Sequence, residues 1–288
     1  MIASTGSSSE VVQVSRFTLP ESGKDVVVVS INRPSVLNCF NSAVIKKLSD
    51  TFRKIAFETS GDRPVDEDHD LAAVVLTGTG RSFCAGADLS DPPDPIAQSS
   101  DLPEHLANNP IHHMGRIRVP IIGALHGFVI TGGFELALAC DVLVGDGSVL
   151  FRDTHVKFGL APCWGLSQKL ARRVGPGRAR WASLSAAKID ADTAHRWGLL
   201  DVLIEAKGRE AVLARALEMA DQIGENNSTM VKRYKRVMVE GGEKSLRDGL
   251  QRERELGIMH YVEAVHDGVT MSNAKEYIEG DVRRSSKL

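Results

Sequence analysis

An α/β fold followed by a purely helical region is what this 288-residue sequence predicts. Three observations predict it. Short apolar runs alternate with helix-period segments as far as about residue 207, the order of strand, helix, strand. From about Gly208 onward only amphipathic, highly charged helical patterns remain. Two glycine-rich segments, 76–89 and 125–136, each stand where an apolar strand hands over to a helix.

The elements follow in chain order. Residues 1–10 carry neither a basic nor an apolar block and read as a loose tail. Val11–Leu19, the turn Pro20-Glu-Ser-Gly23 and Val26–Ile31 read as a β-hairpin ended by Asn32-Arg-Pro34. Val44, Ile45, Leu48, Phe52 and Ile55 share one helix face over residues 43–57, with Asn41 or Ser42 as the cap. Residues 62–70 are an acidic, solvated loop, and residues 71–77 a buried strand. Residues 90–103 hold four prolines and read as a long loop.

Strand 121–125, helix 134–140 and strand 142–144 follow. Helix 166–174, a turn at Gly175-Pro-Gly177, segment 179–184, helix 191–197 and strand 202–204 complete the alternating part. Helices at 211–223, 229–239, 246–261 and 273–278 form a tail that is either a lid or an oligomerisation module. The expected organisation is a core over 11–207, a helical region over 208–280 and a polar tail over 281–288.

Composition excludes several classes. Lys+Arg total 35 against 37 Asp+Glu, a net charge of −2, which argues against a general nucleic-acid binder. No apolar run approaches the roughly 18 residues of a membrane span. The four cysteines lack CxxC spacing and read as reduced thiols. No HExxH signals a metal site, so no metal is expected. The tripeptide Ser286-Lys287-Leu288 reads as a peroxisomal address recognised by an import receptor.

The glycine-rich junctions fail the common nucleotide tests. Phe83 stands where a dinucleotide fingerprint needs glycine, and Gly133-Phe134 where a P-loop needs Lys-Ser/Thr. No G-x-S-x-G offers a nucleophile elbow. What such junctions do supply is close backbone approach and helix N-termini with free N–H groups. Two of them facing one another would make an oxyanion hole. Glu135, inside the apolar run 134–140, is either a structural partner or a working carboxylate. His112, His113 and His126 read as structural or pocket-lining.

Three segments carry a resemblance: Asn32-Arg-Pro-x-x-x-Asn38, Gly80-Arg-Ser-Phe-Cys-Ala-Gly-Ala-Asp-Leu89 and Pro120-Ile-Ile-Gly-Ala-x-x-Gly-x-x-x-x-Gly-Gly-x-Glu-Leu-Ala-Leu-Ala-Cys-Asp141. Their order and spacing resemble the enoyl-CoA hydratase/isomerase (crotonase) superfamily from about Val11 to Ile278. The resemblance implies a spiral of ββα units with C-terminal helices that build trimers or hexamers. It implies an acyl-CoA substrate whose thioester carbonyl is held by the N–H groups of Ala87 and Gly132. It places Ser35, Leu37, Ala85, Gly86, Asp88 and Leu89 at the coenzyme A site, with coenzyme A as part of the substrate and no separate cofactor. Arg33 and Asn38 also read as turn formers.

Glu135 matches the first of the family's two hydratase glutamates. The position of the second holds His155, in the pattern Asp153-Thr-His155 followed by Gly159-Leu-Ala-Pro-Cys-Trp164-Gly-Leu-Ser. His155 is a second acid/base, a pocket-shaping group, or a structural residue satisfied by Asp153 or backbone. Trp164 is expected to wall the acyl site. A dienoyl-CoA isomerase is disfavoured because Cys163 stands where its acid would be. The resemblance is nearest to peroxisomal enoyl-CoA hydratases of fatty-acid β-oxidation, which are hydro-lyases. A Δ3,Δ2-isomerase and a non-catalytic acyl-CoA binder are the alternatives.

Overall fold

The computed structural model describes residues 10–60, 70–94 and 103–266. The acidic loop apart from Asp70, the N-terminal tail apart from Glu10, the expected helix 273–278 and the terminal tripeptide lie outside the described residues.

Strands β1 (Val12–Thr18) and β2 (Asp25–Ile31) form the expected hairpin, antiparallel with Val12 opposite Ile31. Helix α1 (Ser42–Glu58) starts at Asn41, whose side chain accepts from the Val44 N–H at 3.2 Å. Strand β3 (Leu71–Gly78) is buried along its whole length. Short helices α2 (Pro103–Leu106) and α3 (Pro110–Met114) occupy the end of the expected long loop and the segment after it.

Two consecutive units then repeat one plan. Strand β4 (Ile121–Leu125), β5 (Phe128–Ile130) and helix α4 (Gly132–Leu138) make the first. Strand β6 (Val142–Asp146), β7 (Leu150–Arg152) and helix α5 (His155–Phe158) make the second. Helices α6 (Leu166–Val174) and α7 (Pro176–Ser185), strand β8 (Lys188–Asp190), helix α8 (Ala191–Arg196) and strand β9 (Val202–Ile204) follow. Helices α9 (Arg209–Gly224), α10 (Ser228–Gly242) and α11 (Leu246–His266) come last.

Each unit gives its first strand to a six-stranded sheet, ordered β1-β2-β3-β4-β6-β9, and its second to a three-stranded sheet, ordered β5-β7-β8. All pairs of the larger sheet beyond the hairpin are parallel. This is the spiral of ββα units that the resemblance implies.

The central strands are apolar on both faces because both faces are covered. Val27, Val29, Ile31, Val74, Leu76 and Ile121 join the large core with Val44, Leu48 and Phe52 of α1. The alternate residues Val26, Val28, Ala73, Val75, Ile122 and Ala124 face Val212, Ala216 and Ala220 of α9. Small side chains on both sides let that helix lie close to the sheet.

This packing corrects the expected domain boundary. The compact unit runs to Lys232, with Arg233–Leu288 as the second unit, so α9 belongs to the core and not to the helical region begun at 208. Two smaller corrections follow. Pro176 does not sit in a turn but opens α7 as its first residue, where its missing N–H costs nothing. The sequence reading also left out β5, β7 and β8. Within the second unit, Arg236 and Arg252 both hold Glu240 at 2.6 Å. No helix among the described residues is long and apolar enough to cross a membrane.

Candidate active site

The two glycine-rich junctions lie against each other. Segment 37–40 pairs with segment 85–88: Ala85 N–H donates to Leu37 O, Phe40 N–H to Gly86 O and Asp88 N–H to Phe40 O, at 2.9–3.0 Å. Cys84 bridges to Val129, so the second junction docks beside the first. A Cβ on Gly133 would lie 2.4 Å from Cys84 O, and one on Gly132 would lie 2.2 Å from the Phe40 ring. Only glycine permits that approach. Gly86 in turn faces Ile130 and Thr131, the residues that lead into α4.

Among the described residues, the backbone N–H of Ala87 and that of Gly132 take no acceptor. Gly132 is the first residue of α4, where an N–H has no intrahelical partner. The structure therefore brings Leu37, Ala85, Gly86, Ala87, Asp88 and Gly132 together. Ser35 lies exposed on the adjoining 3-10 turn Pro34–Val36, and Leu89 is 66% exposed beyond Asp88. Both oxygens of Asp88 are engaged, one by Ser90 and the other by Arg33 at 2.9 Å. Those hydrogen bonds, the Ser90 hydroxyl first, hold its carboxyl below the usual value.

Thr131 caps α4 at φ 50, ψ −109, a strained conformation for a β-branched residue. Its neighbours impose it. The Thr131 N–H donates to Arg152 O at 2.9 Å, and its hydroxyl meets the hydroxyl of Thr154 in a short hydrogen bond. The helix entrance is thereby tied to the segment 152–154 that precedes α5.

That tie sets Glu135 opposite His155. Glu135 sits in the first turn of α4, 2% exposed. Its Oε1 accepts the N–H of Trp164 at 2.9 Å and of Leu166 at 3.2 Å, at the start of α6. Its Oε2 faces Nε2 of His155 at 3.9 Å. Burial raises the Glu135 carboxyl above its ordinary value, against the pull of His155 and the two N–H donors. One oxygen of Glu135 is thus anchored and the other is turned to His155.

His155 is 6% exposed and its Nδ1 lies 2.7 Å from Oδ1 of Asp153, which also accepts the His155 backbone N–H at 3.1 Å. Burial opposes charge on Asp153, but hydrogen bonds from His155 and Ser183 outweigh it and hold its carboxyl below the usual value. Trp164 stacks on Phe40 at 5.3 Å, and Phe40 covers Gly132. Trp164 therefore lies beside the entrance of α4. Its buried indole N–H has no partner among the described residues.

Other sequence candidates resolve as structural. His126 Nε2 bonds Gly80 O and His113 Nε2 bonds Ala107 O. Asn38 is fully buried, donates to Thr79 O at 2.8 Å and Ser82 O at 2.6 Å, and accepts from Arg33 N–H at 2.8 Å. It is the clamp of the first junction. Asn38→Ala is expected to lower stability by roughly 1–3 kcal/mol for the buried groups it strands, read as a fall in Tm. A Tm equal to wild type would refute the clamp. The Asp153–His155 contact is one of the sequence alternatives for His155, while the Thr131 contacts and the α6 N–H anchors went unread in sequence. Among the described residues, no cluster of three or more His, Cys, Asp or Glu could hold a metal ion.

Comparison with known proteins gives the family of the chain. The family model described as enoyl-CoA hydratase/isomerase matches residues 21–279. The chain is 38% identical over 267 residues to the probable peroxisomal enoyl-CoA hydratase 1 of Arabidopsis thaliana, covering 93% of this chain and 92% of that protein. It is 31% identical over 270 residues to the short-chain-enoyl-CoA hydratase of Clostridium acetobutylicum, covering 93% and 98%. The crystal structure of enoyl-CoA hydratase from Mycobacterium tuberculosis superposes with a TM-score of 0.72 at 26% identity, covering 96% of each chain.

Proposed function

The chain belongs to the enoyl-CoA hydratase/isomerase family, and we propose from that membership an enoyl-CoA hydratase that adds water to a trans-2-enoyl-CoA in fatty-acid β-oxidation. The observation that carries the proposal is Glu135 Oε2 set 3.9 Å from His155 Nε2, one turn inside a helix whose first N–H is unpaired.

The chemistry follows from that placement. The N–H groups of Ala87 and Gly132 hold the thioester oxygen and draw electrons from the conjugated double bond. A water about 2.8 Å from both Glu135 Oε2 and His155 Nε2 spans their gap. Glu135 takes one proton from that water as its oxygen bonds to the β carbon. The π electrons move onto the thioester oxygen, where the two N–H donors stabilise the enolate. The enolate collapses as a proton returned from the Glu135–His155 pair bonds to the α carbon. Hydrogen and oxygen of one water are thus added, and the two side chains end as they began. Ser35, Leu37, Ala85, Gly86, Asp88 and Leu89 line the approach of the coenzyme A portion, and no separate cofactor enters.

Hydration of crotonyl-CoA by the wild-type chain, followed as loss of the conjugated thioester absorbance, tests the proposal. Binding of acyl-CoA without hydration would make the chain a binder. Conversion of a 3-enoyl-CoA without water addition would make it an isomerase. The pH profile is a further test. A base must be ionised, and burial holds Glu135 above its ordinary 4.5, so kcat/KM is expected to fall on the acid side at a pH above 4.5. A profile flat down to pH 4.5 would refute Glu135 as the base.

We place this enzyme in the peroxisome, carried there by an import receptor. Ser286-Lys287-Leu288 and the peroxisomal name of the Arabidopsis relative support that reading. A homotrimer or hexamer is the proposed assembly. Tyr234, Met238, Leu250, Ile258, Met259 and Tyr261 are each about half exposed or more, an apolar burden that helices carry when a partner covers them.

A further inference from the structure

We propose that Asp153 is a positioning residue for the hydration reaction, selecting the His155 tautomer that turns an unprotonated Nε2 toward Glu135. The proposal rests on the reading of Glu135 and His155 as the water-holding pair. Its geometry is independent of that reading. Asp153, His155 and Glu135 are 4%, 6% and 2% exposed and stand in line, with 2.7 Å from Asp153 Oδ1 to His155 Nδ1 and 3.9 Å from His155 Nε2 to Glu135 Oε2.

The donor count decides the tautomer. An ionised carboxylate only accepts, so the ring nitrogen beside it must carry the hydrogen. The form that can take part in this step is the neutral imidazole, whose other nitrogen then holds a lone pair; an imidazolium would donate from both nitrogens. A water between His155 Nε2 and Glu135 Oε2 is therefore offered two acceptors for its two hydrogens. Both of its own lone pairs are left free, and one of them is the pair a nucleophile must present. With the opposite tautomer, Nε2 would donate to the water, occupy one of its two lone pairs and make its oxygen a poorer nucleophile. Asp153 is itself immobilised by Ser183 of α7 and by the His155 backbone N–H. The adjacent Thr131–Thr154 hydroxyl bond ties this segment to the α4 entrance. The ring orientation is thus coupled to the two N–H groups that receive the enolate.

Asp153→Asn tests this in the full-length enzyme. The amide has nearly the same shape and can donate to Nδ1, which reverses the tautomer. The expected result is a fall in kcat for crotonyl-CoA hydration on the order of 10²-fold or more, with KM within about twofold of wild type. A comparable wrong-tautomer change in a serine protease triad costs about 10⁴. The same substitution made in a His155→Ala background is expected to cost nothing further, because the group through which it acts is gone. Equal losses in both backgrounds would show a merely structural Asp153 and overturn the proposal. Full activity of Asp153→Asn beside an impaired His155→Ala would also overturn it while leaving the His155 reading intact. Full activity of His155→Ala would overturn both. Should Asp153→Asn fail to fold, Asp153→Ala, which removes the acceptor for Nδ1–H, is held to the same coupling between backgrounds.

Discussion

Glu135→Gln is expected to lower kcat for crotonyl-CoA hydration by on the order of 10²–10⁴ while acyl-CoA binding and Tm stay close to wild type. The separation of effects follows from the two carboxylate oxygens. The amide oxygen of glutamine can still accept the Trp164 and Leu166 N–H groups at the α6 entrance, so the structural anchor survives. What disappears is the oxygen facing His155, and with it the only basic lone pair that Glu135 offers to water. An amide in its place cannot take up a proton near neutral pH. Steady-state kinetics, acyl-CoA titration and a thermal melt on one preparation check the three expectations. Hydration at the wild-type rate would remove Glu135 from the mechanism.

Gly133→Ala is expected to reduce kcat/KM by on the order of 10²–10³ and stability by roughly 1–3 kcal/mol. The added methyl would lie 2.4 Å from Cys84 O and 2.8 Å from Cys84 Cβ. Neither atom is the end of a flexible side chain, so the α4 entrance must draw back from segment 84–87. The N–H of Gly132 moves with it, away from the N–H of Ala87, and the two can no longer meet one oxygen. Gly147→Ala serves as the control, since a Cβ there meets nothing within 4 Å. Hydration kinetics and thermal melts of the two variants read the effect. A Gly133→Ala enzyme as active as the control would show that the close approach of the junctions has no part in catalysis.

The elements that sequence made legible are those whose burial alone explains them. The runs 26–31, 71–78 and 121–125 are apolar on both faces and are central strands between α1 and α9. The periodic face and Asn41 cap of α1 announce it in the same way. The small sheet was not legible. Phe128–Ile130, Leu150–Arg152 and Lys188–Asp190 are three residues each, too short for alternation to register, and they pair with strands distant in sequence. The end of the core was misread because α9 is amphipathic and charged like the helices after it. Only its alanines on the sheet distinguish it.

By itself the sequence determined the family, the two glycine-rich junctions and the residues Glu135 and His155. Those depend on residue types at fixed spacing along one segment, and spacing survives in a one-dimensional string. Tertiary structure alone decided how Glu135 divides its two oxygens between an anchor and His155, which nitrogen of His155 lies beside Asp153, and that Phe40 and Cys84 demand glycine at 132 and 133. Each of these is a contact made at ångström distances, most of them between segments that only the folded chain brings together. Hydrogen-bond direction and steric exclusion depend on such distances and not on position along the chain.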